Sequence, residues 1–132
     1  MAGIPEDANH LFENKDFAHV ATVNADGSPQ VSPVWIGRDG DLVTFNTAEG
    51  RVKTDNLHRD GRVAISIHAQ DNPYENLIIQ GKVVEITQDG ADDDIDALAK
   101  RYLDADSYPY RQPGEERVIV KIRPDKVNHT AA

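Results

Sequence analysis

The chain has 132 residues, no cysteine and a formal net charge of −9. That length suits one domain spanning residues 1–132, able to bury roughly two-thirds of its unfolded surface. The missing thiols exclude a disulfide scaffold, cysteine-based catalysis and Cys-ligated zinc, and the acidity argues against nucleic acid, which needs a basic face. Hydrophobic and charged shares of 39% and 28% belong to a globular chain rather than a disordered one. No apolar run approaches the ~20 residues of a membrane span, and the start Met1-Ala2-Gly3-Ile4-Pro5-Glu6-Asp7 lacks the basic and apolar regions of a signal peptide. The expected location is therefore cytoplasmic, with no membrane partner.

Pro5 to Asn14 reads as a helix. Ile4, Ala8, Leu11 and Phe12 share one face, and Pro5, Glu6 and Asp7 suit its start. Three strands follow, at Phe17–Val23, Gln30–Ile36 and Leu42–Asn46. They are joined by the turn Asn24–Ser28 and the Asp39-Gly40 hairpin signal, and read as an antiparallel meander. A short helix is expected from Glu49 to Arg59, with Gly61 just past its end. Arg62–Ala69 alternates Val63, Ile65 and Ile67 as a fourth strand. Asp71-Asn72-Pro73 reads as a break, and Tyr74–Thr87 as a long fifth strand, interrupted at Gly81 by a bulge or bend.

Ala91–Leu103 is a helix with Ile95, Leu98, Ala99 and Tyr102 on one face. Its start lies in a stretch, residues 87–106, with seven aspartates against Lys100 and Arg101. The simplest reading of that stretch is a solvated helix start. Asp104–Glu116 is a polar loop, and Arg117–Arg123 the last strand. Six strands with tight turns, and a helix between the third and fourth, predict a mainly β (α+β) fold. The expected architecture is a six-stranded antiparallel barrel with short flanking helices.

The segment most suggestive of chemistry is Phe45-Asn46-Thr47-Ala48-Glu49-Gly50-Arg51-Val52-Lys53-Thr54-Asp55-Asn56-Leu57. A strand gives way to a helix whose first turn carries two cations, Arg51 and Lys53, where backbone N–H groups already favour an anion. In a chain of net charge −9, a polyanionic ligand needs such a local positive site. The plainer alternative is two surface cations pairing with Glu49 or Asp55.

Two runs carry a resemblance. Ala25-Asp26-Gly27-Ser28-Pro29-Gln30-Val31-Ser32-Pro33-Val34-Trp35 resembles the second-strand signature of the flavin/deazaflavin oxidoreductases, split β-barrel proteins related to pyridoxamine 5′-phosphate oxidase. Arg51-x-Lys53-x-x-Asn56-Leu57 resembles their phosphate motif, and Asp60-Gly61-Arg62-Val63 and Gly81 fall where that family has related residues. The pattern is most similar to the short B group that uses coenzyme F420. The resemblance spans about Pro5 to Pro124. It implies a homodimer with two cofactor sites between the subunits, F420 or alternatively FMN as the cofactor, and a small-molecule substrate.

On that resemblance, Arg51 and Lys53 would contact the cofactor phosphate, with Asn46, Thr47 and Asn56 nearby. Thr47 could instead cap the helix, Asn56 could tie down a turn, and Leu57 reads as core. Gln30, Ser32, Pro33, Val34 and Trp35 would pass beside the ring, although Trp35 could equally be a core aromatic. Tyr74, His68 and Tyr110 are candidates for a substrate or partner-subunit pocket, with Tyr108 and Arg111 on the covering loop. No catalytic residue is assigned. The five histidines show no metal-binding spacing.

The expected activity is hydride transfer from reduced F420 to a conjugated, electron-poor acceptor such as an enone, an unsaturated lactone or a tetrapyrrole-like molecule. An FMN-dependent oxidase of the pyridoxamine phosphate type, a non-catalytic F420-binding protein, and a barrel that binds a peptide or oligosaccharide are the other readings.

Overall fold

A computed structural model of the chain describes residues 2–131. Six antiparallel strands close into one barrel. They are β1 (Phe17–Val23), β2 (Pro29–Asp39), β3 (Leu42–Ala48), β4 (Arg62–Ala69), β5 (Asn72–Thr87) and β6 (Arg117–Thr130), in the order β1-β2-β3-β6-β5-β4. The first three form the expected meander, and β4 closes the barrel by pairing with β1. Helices α1 (Val52–Arg59) and α2 (Ala91–Leu103) join the third strand to the fourth and the fifth to the sixth. Among the described residues no helix is long and apolar enough to cross a membrane.

The strands carry the core by period-2 alternation. Val20, Ile36, Phe45, Ile65, Leu77 and Val120 all lie in the barrel interior, essentially without exposure. Closure needs sharp bending in the long strands, and β5 supplies it where its register to β6 shifts at Gln80/Gly81 and again at Val83/Glu85. Gly81 is required there. A Cβ on it would lie 2.3 Å from the carbonyl oxygen of Arg123, backbone that cannot move aside.

Several boundaries differ from the sequence reading. The first helix is a 3-10 helix, Glu6–Phe12, with Pro5 at its N-cap; Ala8, Leu11 and Phe12 bury the predicted face. Asn72-Pro73 does not break the chain. The turn is Gln70-Asp71, and Pro73 sits inside β5 beside a register shift at His68/Ala69, where a missing N–H costs the ladder little. The last strand runs through Pro124 to Thr130, because Pro124 lies opposite the Gly81 bulge. Helix α1 starts at Val52 rather than Glu49, so Arg51 is its N-cap.

Helix α2 packs outside the barrel through a second apolar cluster, Ile95, Leu98 and Tyr102, joined by Trp35 and Tyr108. β1 pairs with β2 only as far as Phe17 opposite Trp35. At the next residue of β2, Ile36, α2 provides the partners. Tyr102 Oη accepts from the Ile36 N–H at 3.1 Å and donates to the Asp16 carbonyl at 2.6 Å, and Arg101 donates to the Ile36 carbonyl. The helix is thus fixed against the strand that forms one wall of the site.

Candidate functional site

A groove of about 190 Å³ opens where β2, the β3–α1 junction, α2 and the segment before β6 meet. Phe17, Pro33 and Trp35 supply one wall, Tyr108 and Tyr110 another, and Asn46, Arg51, Lys53 and Arg117 the polar end. Trp35 stacks on Tyr102, with centroids 5.1 Å apart and planes within 7°. Tyr108 meets Trp35 edge-on at 6.0 Å, and Tyr110 meets Tyr108 edge-on at 5.8 Å. The aromatic wall is therefore a continuous packed set that runs from buried Tyr102 through partly buried Trp35 and Tyr108 to exposed Tyr110.

Three cations converge at the polar end. Arg51 is exposed, Lys53 is half-buried and Arg117 is buried. No side chain caps α1, so its first-turn N–H groups add further positive potential. Lys53 has no anionic partner among the described residues. Its pKa is pushed down by burial first, and then by repulsion from Arg51 and Arg117. Among the described residues Glu115 is the carboxylate that pairs with these cations, 3.2 Å from Arg117 and 3.5 Å from Arg51, while Asp94, held by Asn46, also feels the charge of Arg117. Three cations sharing one ion-pairing carboxylate form a site short of negative charge.

Asn46 and α2 set the direction of Arg117. The Asn46 amide donates to the Ala91 carbonyl at 2.8 Å and to Asp94 at 2.9 Å, which leaves its oxygen to accept from Arg117 Nε at 2.9 Å. Burial raises the Asp94 pKa, and the Asn46 hydrogen bond opposes that rise. The Arg117 guanidinium also lies 5.1 Å from the centre of the Tyr108 ring. The aspartate-rich start of α2 has a further role. Asp92 and Asp96 both bind Arg111, at 2.8 and 3.0 Å, and Asp96 accepts from the Tyr108 N–H at 2.8 Å. These bonds hold the segment that carries Tyr108 and Tyr110 against the groove.

The structure brings Pro33, Val34, Trp35, Asn46, Arg51, Lys53 and Tyr110 together at this groove. It places the other six candidates elsewhere, and strand alternation explains two of them. Pro33 and Trp35 face outward on β2. Ser32 lies opposite core residue Val20 and turns inward, its hydroxyl buried and without a partner. On β3, Asn46 faces α2, whereas Thr47 points inward to Thr54 at 3.2 Å and does not cap α1. Gln30 accepts from Thr22, and Asn56 donates to Thr22 and Asn24, so these two tie α1 to the β1–β2 turn. His68 and Tyr74 lie at the β4–β5 hairpin, outside the groove lining, with Tyr74 exposed. Arg117 was not singled out from the sequence. The sequence signals Arg117 only as the first residue of a strand that also carries Lys121 and Arg123.

A larger groove, about 470 Å³, lies on the outer face of β1, β4 and β5 and shares no lining residue with the first. Its lining is mostly apolar and carries Arg62, paired with Asp60, and the lysines Lys82 and Lys126, but no aromatic side chain, so the combination of cations with an aromatic wall belongs to the smaller groove. Among the described residues no group of three His, Asp or Glu side chains is arranged to hold a metal.

The family model for pyridoxamine 5′-phosphate oxidase matches residues 4–131. A solved F420 reductase is 33% identical, covering 95% of this chain and 98% of its own, with a TM-score of 0.81. A conserved hypothetical protein from Mycobacterium tuberculosis is 20% identical over 96% of this chain and 84% of its own, TM-score 0.72. HupZ from Group A Streptococcus is 20% identical over 98% and 99%, TM-score 0.68. The last two share the fold.

Proposed function

Because the chain belongs to the pyridoxamine 5′-phosphate oxidase family of flavin and deazaflavin oxidoreductases, we propose that it is an F420-dependent reductase. Its acceptor is a conjugated, electron-poor small molecule of the enone, unsaturated lactone or tetrapyrrole-like class. The observation that carries this reading is the juxtaposition of three under-compensated cations and an uncapped helix start with an aromatic wall, in one groove. A ligand with an anionic tail and a flat ring fits that pair of surfaces.

In this reading Arg51, Lys53, Arg117 and the first N–H groups of α1 bind the cofactor phosphate. Trp35, held flat by Tyr102, and Pro33 beside it present an apolar face to the ring. Tyr108 and Tyr110 narrow the opening and exclude water. Tyr110, with 61% of its surface exposed, offers an O–H at the lip as proton source for the acceptor. The bound deazaflavin supplies the hydride chemistry. The chain's contribution is grip and orientation.

The enzyme acts as a homodimer in the cytoplasm. Support for the dimer comes from the outer sheet face that continues from the groove. Phe17, Val31 and Ile78 share that face and are 48%, 63% and 38% exposed, with Ser66 and His19 between Ile78 and β2, and exposed apolar side chains of this kind are what a second copy covers. FMN is the alternative cofactor, since its phosphate suits the same cations. The 33% identity to an F420 reductase over nearly the whole chain favours F420.

Side-by-side fluorescence titration with F420 and FMN tests the assignment. Tighter binding of F420, with oxidation of its reduced form on addition of an enone, is the expected result. Binding of FMN alone would overturn the coenzyme assignment. F420 binding without turnover of any conjugated acceptor would reduce the protein to a binding module.

A further inference from the structure

We infer that Lys53 is an acylation site that takes acyl phosphates, and that acylation there closes the groove to anionic ligands. The first half stands on the arrangement of cations alone. The second rests on the phosphate site argued above and adds how that site is regulated.

Six lysines compete for any acylating reagent. Lys15, Lys82, Lys100 and Lys126 are exposed, with their ammonium groups in water. Lys100 is also paired with Asp104 at 3.0 Å, and half-buried Lys121 with Asp39 and Glu85 at 3.3 and 3.5 Å. The bond to Asp104 raises the Lys100 pKa and the bond to Asp39 raises that of Lys121, so both amines hold their protons. Lys53 is the reverse case. It is half-buried in the groove lining, makes no hydrogen bond or ion pair among the described residues, and has Arg51 and Arg117 as charged neighbours. Burial first, and then the two guanidinium charges, favour its neutral amine, which is the nucleophilic form.

The same two arginines select the reagent. An acyl phosphate carries its electrophilic carbon one bridging oxygen away from a phosphoryl group. Arg51, Arg117 and the first N–H groups of α1 bind the phosphoryl oxygens, which brings the acyl carbon beside the Lys53 amine. The amine nitrogen attacks that carbon. The bond from the carbon to the bridging oxygen breaks, and inorganic phosphate leaves with the electron pair. The nitrogen passes its extra proton to the departing phosphate or to solvent, and an amide remains. The guanidinium groups stabilise the charge that grows on the phosphate as it leaves. Glu115 does not shield the amine, since it lies against Arg117 and Arg51 and leaves Lys53 unpaired. The product has lost one cation of three and places an acyl group at the polar end of a groove of only about 190 Å³. A ligand phosphate seated on the three cations covers the amine, so the empty protein is open to modification and the loaded one is protected.

The test incubates the intact protein with acetyl phosphate and follows acetylation of each lysine by peptide mass spectrometry. Lys53 should be labelled at least about tenfold faster than any other lysine, a small part of what a held geometry gives, and added inorganic phosphate should slow Lys53 alone. Labelling of Lys53 no faster than that of the exposed lysines, or labelling that phosphate does not slow, overturns the site. Closure is read by titrating F420 and FMN before and after treatment. Affinity for the cofactor that binds should fall at least about tenfold, the scale of one lost charge-assisted hydrogen bond, with the midpoint of thermal unfolding nearly unchanged. Lys53→Arg keeps a cation but offers no amine to acylate. Whatever its starting affinity, that variant should bind the cofactor equally before and after the same treatment. A loss equal to the wild type's would place the effect at other lysines and overturn the closure. The two readings fail separately. Binding of neither F420 nor FMN to the untreated protein, with Lys53 still labelled first, ends the cofactor assignment and leaves the acylation site standing. Cofactor binding with no preference for Lys53 does the reverse.

Discussion

Two charged clusters in this molecule are built on opposite plans. Where the 3-10 helix meets β5 and β6, Glu75 accepts from both sides. Its oxygens lie 2.9 Å from His10 and 2.9 Å from His129, and Asp7 faces the other nitrogen of His129 at 3.6 Å. Each group there has an opposite, and the cluster pins a helix to the barrel. At the β3–α1 junction three cations share a single ion-pairing carboxylate among the described residues, and the helix start has no cap. A chain of net charge −9 has ample aspartate and glutamate to neutralise such a site. Leaving it short of charge is what a ligand-supplied anion requires, whereas the matched cluster is complete without one.

The largest test of that contrast removes the cation that belongs to both fold and groove. Arg117→Met leaves Glu115 and Asn46 without their buried partner. It should cost about 3 kcal/mol in denaturant unfolding as well as abolish tight cofactor binding. Full stability would show that Arg117 is not bonded as described.

Arg51→Ala and Lys53→Ala separate the two roles. Each should weaken cofactor binding by about 1–3 kcal/mol in an isothermal titration, with the unfolding midpoint nearly unchanged. Unchanged affinity in both would return them to the status of surface cations.

Glu75→Gln is the converse. It should lower stability by about 1 kcal/mol and leave cofactor affinity alone. A matching loss of affinity would erase the distinction between the clusters.

The smallest effect is a pH dependence confined to the matched cluster. The hydrogen bond to Glu75 raises the His10 pKa, with added attraction from Glu75, Asp16 and Asp71 against a desolvation cost, while His10 and His129 lower that of Glu75. A raised histidine stabilises fully below its ordinary 6.5 and loses that contribution as pH climbs through the raised value. A depressed glutamate stabilises above its ordinary 4.5 and loses it on acidification. The protection factors of residues 6–12, taken relative to the intrinsic exchange rate at each pH, should therefore be highest between those limits and fall on the alkaline side before those of the barrel do. Protection that is flat with pH would show that the cluster holds nothing.

The barrel was legible because its signals are local. Alternation in Val63, Ile65 and Ile67, the Asp39-Gly40 turn and Gly81 each act within a few residues. Half of the candidate site was not, for reasons of parity and distance. Successive strand residues face opposite sides, so the runs Ser32 to Trp35 and Asn46-Thr47 divide between groove and core, with buried Val34 lining both. Pro33, Trp35 and Asn46 reach the groove, while the side chains of Ser32 and Thr47 enter the barrel. Arg117 escaped because its partner Asn46 lies 71 residues away, and nothing in the local pattern links a strand-opening arginine to it. The second half of β6 was hidden by Pro124, which reads as a terminator until the glycine bulge opposite it is known. The aspartates of α2 read as solvent-facing charge, and only the tertiary fold shows Asp92 and Asp96 holding the aromatic segment.

The claim that the unmatched cations seat the phosphate of a redox cofactor is tested most directly by the crystal structure of the protein grown with F420, and with FMN in parallel. The account predicts phosphate oxygens within about 3 Å of Arg51, Lys53 or Arg117 and the ring against Trp35. Density for the cofactor at any other place, with those three side chains untouched, would contradict it.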